Sequence, residues 1–228
     1  MRNRPMATKV CDKWDLLLTV CFALFVYFWH GFSDDLILRI LGGVPDYGGK
    51  VIPYIPFGRW LFLFGFFLFS VCRSLYEEGG INVLERYRYK EMGKWWRKHF
   101  LMLHLKNTVL FLICYVIWCA LERKELHLMA AVTFFLHLSM MISVLLLADY
   151  LDIKIMPCLL IVAEGMGYVL SVNYDLPSLA NGMYNRSIFV RKDGFSFPVY
   201  LMEIIVIGIC YVAVPFLWKR NIRERKEL

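Results

Sequence analysis

Charge is scarce in this chain: 20% of its 228 residues are Asp, Glu, Lys or Arg, while 59% are hydrophobic and 17% aromatic. Soluble domains carry about a quarter charged residues and roughly half apolar ones. An ordinary soluble fold is therefore excluded, and so is disorder, because so apolar a chain has abundant surface to bury. Catalytic motifs are also missing. No P-loop, G-x-S-x-G, H-E-x-x-H or dinucleotide fingerprint occurs, so the chain alone is not expected to hydrolyse ATP or to be an enzyme. Seven cysteines are scattered without a C-x-x-C, and Cys114 and Cys119 lack metal spacing. They read as small buried hydrophobes. Internal repeats and low-complexity segments are absent.

What the chain does have is long apolar runs. Windows almost free of charge recur at 16–33, 53–73, 104–121, 126–148, 155–174 and 197–218. A helix needs about 20 apolar residues to cross a bilayer, and only helices and closed barrels satisfy their backbone inside one. The expected fold is an all-α integral membrane protein of six transmembrane helices in one domain, 1–228, with both termini cytoplasmic. Basic residues give the orientation. If the termini share one side, that side holds 18 of the 26 Lys and Arg and the other holds 8. The positive-inside rule then puts the 74–103 loop in the cytoplasm and the 34–52 and 175–196 loops outside. The net charge of +7 reads as orientation and contact with the lipid bilayer, with no nucleic acid implied. The first apolar run lacks a small-residue cleavage site and reads as a retained helix. The stretch 36–41 reads as a short amphipathic turn lying at the interface.

The cytoplasmic loop is dense in charge and aromatics through Leu84-Glu85-Arg86-Tyr87-Arg88-Tyr89-Lys90-Glu91-Met92-Gly93-Lys94-Trp95-Trp96. Gly79-Gly80 and Gly93 are expected to mark turns on either side of a short helix. Charged loops with a Trp anchor are common at bilayer surfaces; the sharper expectation is a helix that docks a partner. Six spans, a large loop between the second and third, and the pairs Arg86-Tyr87 and Trp95-Trp96 resemble the type-2 ATP-binding cassette exporter permeases. The likeness is to small bacterial members linked to antimicrobial-peptide export or immunity. Arg88-Tyr89 stands where that family usually has Gly-Ser, and the gap to the Trp pair is longer. The resemblance implies that Glu85, Arg86, Tyr87, Arg88, Tyr89, Lys90, Trp95 and Trp96 form a coupling helix seated in a separate cytoplasmic ATPase. ATP and Mg would belong to that partner, with no cofactor on this chain. It further implies a second permease copy or a related permease, a peptide or lipophilic substrate, and a multi-pass place in a bacterial plasma membrane.

Two acids interrupt the apolar runs. Glu164 lies near the middle of the fifth, beside Gly165 and Gly167, and Glu203 lies in the outer part of the sixth. An ionised carboxylate at such depth is costly, so each is neutral, paired or facing water. Both, with Tyr168 and with Phe66 of the Phe-rich second run, are candidates for a substrate path. An interhelical hydrogen bond to a Tyr or Ser is the other reading. His127 and His137, ten residues apart, are expected on offset faces with no metal set between them. Two further function classes stay open. One is a standalone immunity or regulatory membrane protein that binds a toxin. The other is an intramembrane enzyme with Glu164 or a His as acid or base, which requires polar residues converging at one depth.

Overall fold

Prolines mark where helices begin. Pro56, Pro157 and Pro198 each fall in a first turn, where a missing N–H forfeits no intrahelical bond. The computed structural model describes residues 11–30, 36–41, 54–88, 92–122, 127–151, 153–174 and 197–224. They form α1 (Lys13–His30), α2 (Leu36–Leu41), α3 (Tyr54–Arg88), α4 (Met92–Glu122), α5 (Leu128–Tyr150), α6 (Met156–Tyr174) and α7 (Phe197–Glu224), with no strand among the described residues. Five of them, α1, α3, α4, α5 and α7, are long and apolar enough to cross a membrane. The fold is thus all-helical and of membrane-protein character. Helix α6 occupies the expected fifth run at Met156–Tyr174. The 175–196 loop lies outside the described residues.

Helix α5 is the hub. Of its apolar stretch 67% is buried, against 28% for α1 and 17% for α7, and it touches α2, α3, α4, α6 and α7. Lipid tails are as apolar as Leu, so helices associate in a bilayer through close packing and interhelical hydrogen bonds rather than through the hydrophobic effect. The buried face of α5 suits that rule, since it mixes Ala130, Ala131, Ser139, Ser143 and Ala148 with its large residues.

Helix α2 turns one side to the bundle, with Ile37, Ile40 and Leu41 0–2% exposed. Its first turn is fastened where the Ile37 N–H donates to Glu122 Oε2 at 3.1 Å, which ties it to the end of α4. One local expectation is corrected: Gly79-Gly80 marks no turn. Helix α3 runs through both glycines to Arg88 and α4 starts at Met92, so most of the 74–103 loop is a continuation of two helices. Gly costs only about 1 kcal/mol in a helix interior, and no proline lies between 57 and 156 to stop the chain.

One interior proline does break a ladder. Pro215 sits inside α7, so it leaves the carbonyl four residues earlier, Tyr211 O, without its helical donor. The indole of Trp96 supplies the replacement, its Nε1–H donating to Tyr211 O at 2.9 Å. Trp96 is 1% exposed, and close by a Cβ on Gly93 would meet Pro215 Cβ at 3.6 Å. Neighbouring helices repairing a proline-freed backbone group are how such breaks are tolerated in membranes. The start of α4 is thereby seated on α7.

The same end of the bundle holds an ion cluster. Asp12 Oδ1 accepts the Asp15 N–H at 2.6 Å and Asp15 Oδ2 accepts the Asp12 N–H at 3.2 Å, a reciprocal cap on α1. Lys106 Nζ of α4 lies 2.6 Å from Asp15 Oδ2 and 2.8 Å from Ser74 Oγ. Arg73 of α3 reaches Asp12 at 3.2 Å and Asp15 at 3.7 Å. The Asp15 N–H first, then Arg73 and Lys106, hold the Asp12 carboxyl below its ordinary range.

Two outcomes follow from these contacts. Trp96→Phe should cost about 1–2 kcal/mol of unfolding free energy in micelles, and much less in a Pro215→Ala background, where the new N–H serves Tyr211 O itself. A double-mutant cycle measures the difference. For Asp12 the folded pKa lies below the unfolded one, so its contribution is complete above about pH 4 and fades as pH falls through the folded value. Asp12→Asn should therefore lower the melting midpoint at pH 7, and its gap from the parent should close on acidification.

Candidate functional site

Glu164 and Glu203 meet His137 inside the bundle, and Trp60 joins them. Trp60 stands six residues after the start of α3, His137 nine after the start of α5, Glu164 ten before the end of α6, and Glu203 six after the start of α7. At about 1.5 Å of rise per residue all four sit roughly 9–15 Å from the bundle end formed by Tyr54, His127, Tyr174 and Phe197. That end is opposite the ion cluster. Four helices thus deliver one polar group each to one depth.

The groups form a line. The Trp60 indole Nε1–H donates to Glu164 Oε1 at 3.1 Å. Glu164 Oε2 is 3.3 Å from His137 Nε2, and His137 Nδ1 is 3.0 Å from Glu203 Oε1. His137, Glu164 and Glu203 are 2%, 1% and 0% exposed. Aromatic rings wall the line: Phe64 lies 5.7 Å from the His137 ring, and Phe134 meets Trp60 edge-on at 5.5 Å. In such low-dielectric surroundings hydrogen bonds strengthen, and an unpaired charge becomes severely costly. Beside Glu164, Gly165 faces α3, where a Cβ would make ordinary contact with Phe57 Cζ at 3.4 Å.

One turn nearer the same end, α5 and α7 are linked again. Tyr200 OH lies 2.8 Å from Thr133 Oγ1, and Thr133 donates its own hydrogen to Met129 O at 2.7 Å. Thr133 precedes His137 by four residues and Tyr200 precedes Glu203 by three, so these are successive rungs on one helix pair. Elsewhere on α5, His104 of α4 is 3.0 Å from Ser143 Oγ.

The sequence-derived candidates scatter differently. Glu164 and Glu203 come together, on opposite edges of one imidazole rather than side by side. Phe66 lies apart from them, stacked on Phe22 of α1 at 3.7 Å and 5°. Tyr168 lies in α6. Glu85, Arg86, Tyr87 and Arg88 occupy the last turn of α3, while Tyr89 and Lys90 lie outside the described residues. Trp95 and Trp96, expected at the docking surface, are 5% and 1% exposed. Trp95 stacks on His99 at 5.0 Å, so both belong to the packing of α4. Sequence reasoning missed Trp60 and the pairing of His137 with both acids. His137 lies well inside the charge-free fourth run, with His127 at its start, and buried ionisable groups in membranes pair.

Chemically the line can hold, share and pass protons between two acids and a base. It cannot grip one cation with both acids, because the ring stands between them, and no group of three or more His, Cys, Asp or Glu among the described residues has a metal-holding arrangement.

Removing the centre of the line should be the most damaging change. His137→Leu leaves two buried carboxylates facing a hydrocarbon and should destabilise the protein by about 3–5 kcal/mol, whereas replacing all three residues with Leu should recover most of that loss. Unfolding of the variants in mixed micelles measures both effects. Equal stability of the His137→Leu variant and the parent would contradict the bridging role.

No protein-family model matches this chain, and no curated protein and no solved structure is similar to it.

Proposed function

We propose that this chain is the membrane-spanning permease subunit of a type-2 ATP-binding cassette exporter, driven by a separate cytoplasmic ATPase. One observation supports the reading best: α3 continues for twelve residues past its apolar stretch, Tyr54–Tyr76, to Arg88. That is about 18 Å of helix on the basic side of the bundle, carrying Arg86-Tyr87 at its tip. The first turns of α4 follow and are locked to α7 by the Trp96–Tyr211 bond. An arm so built has the means to convert a push by a partner into movement of α7.

In this reading the tip around Glu85–Lys90 enters the ATPase, with exposed Lys94, Arg97 and Lys98 at its rim, and Trp95 and Trp96 transmit the load instead of touching the partner. ATP binding would close the ATPase dimer and rock the helices between inward and outward states. Two copies, or one copy with a related permease, would enclose the path of a peptide or lipophilic antimicrobial across a bacterial plasma membrane. Hydrolysis and its Mg belong to the partner, and this chain binds no cofactor and is not itself an enzyme.

Gentle purification of the tagged protein from its native membrane, with mass spectrometry of what accompanies it, tests the proposal. A near-stoichiometric P-loop ATPase is expected. Arg86→Glu with Tyr87→Ala should remove that ATPase while leaving membrane insertion intact. A clean preparation without an ATPase in several mild detergents contradicts the exporter and favours a standalone membrane protein that binds a toxin. An ATPase retained by the double variant puts the docking element elsewhere.

A further inference from the structure

Each His137–Glu contact needs one hydrogen between its heavy atoms. Two hydrogens fill both contacts, and the line then reads Glu⁻–HisH⁺–Glu⁻ or an equivalent distribution, with a net charge of −1 in every case. Such a charge at this depth is expensive. Arg59, beside Trp60 on α3, is turned to the Trp29 ring of α1 at 5.7 Å. Arg73 and Lys106 are engaged with Asp12 and Asp15 at the far end. From α4, His104 faces Ser143, and Glu122 faces the backbone of α2. One atom also stands out: Glu203 Oε2 is fully buried with no hydrogen-bond partner among the described residues. An ionised oxygen left so is far costlier than a neutral hydroxyl in the same place.

We propose that Glu164, His137 and Glu203 form an intramembrane proton-binding site, whose third, exchangeable proton sits on Glu203 Oε2. With it the line is neutral; without it an ionised oxygen of Glu203 is left buried with no hydrogen-bond partner among the described residues. The ligand is a proton rather than a metal or an amine, since the two acids lie on opposite edges of one ring and the open oxygen is sealed from solvent. The Thr133–Tyr200 rung lies between the site and the near end of the bundle, so hydroxyl groups mark the route of exchange toward that end. The site goes beyond the exporter reading and stands if that reading fails, because every group in it belongs to this chain.

Infrared difference spectroscopy of the full-length protein in lipid nanodiscs at neutral pH tests it without any partner or substrate. Wild type should show the carbonyl stretch of a protonated carboxylic acid. That band should vanish in Glu203→Gln, which keeps an acceptor for His137, and persist in Asp12→Asn. In deuterated buffer, Tyr200→Phe with Thr133→Val should slow its isotopic shift severalfold. A wild-type spectrum without the band overturns the proposal, as does a band unchanged in Glu203→Gln. If that variant does not fold, Glu203→Asp must move the band, and a band left in place overturns the proposal equally. Unaltered exchange in the Tyr200/Thr133 variant overturns the assigned route.

Discussion

Two carboxyls buried at one depth of the bundle share a single imidazole, that of His137, which stands between them. That constraint organises the bundle. His137 reaches both carboxylates only if α6 and α7 flank α5 on either side of its ring, at 3.3 and 3.0 Å. Glu164 in turn takes a donor from α3 through Trp60. Close packing and hydrogen bonds, not hydrophobicity, hold helices together in lipid. The central helix is therefore located by its polar residues as much as by its large apolar ones.

The opposite end is held by different means. There α1, α3 and α4 are tied by ion pairs among Asp12, Asp15, Arg73 and Lys106, and α4 and α7 by an indole that replaces the donor Pro215 lacks. Helix α7 belongs to both ends, with Glu203 in one and Tyr211 in the other. It is also among the least enclosed of the apolar helices, with 17% of its stretch buried. It is joined to α5 by two successive rungs near one end and to α4 by the Trp96 bond near the other.

Much of this architecture was legible in the sequence. Charge-free runs longer than any soluble strand became helices. The errors had local causes. Gly79-Gly80 looked like a turn, but glycine is a weak breaker without proline beside it. Trp95-Trp96 looked like a surface anchor because the proline break that Trp96 serves lies more than a hundred residues away. The candidate site was half legible: Glu164 and Glu203 drew attention as acids in lipid. His137 was weighed as a metal ligand without companions and, with the other histidines, as an acid or base, while its place between two acids depended on a juxtaposition of three helices that no spacing along the chain reveals.

The bridging imidazole is open to direct measurement. Solid-state magnetic resonance on membranes holding protein labelled with 15N in the His rings and 13C in the Glu carboxyls reads carbon–nitrogen proximity, with His137→Gln identifying the signals. Both ring nitrogens of His137 should be dephased by a carboxyl carbon at hydrogen-bond range. A His137 ring with a carboxyl carbon near only one nitrogen, or near neither, would contradict the account.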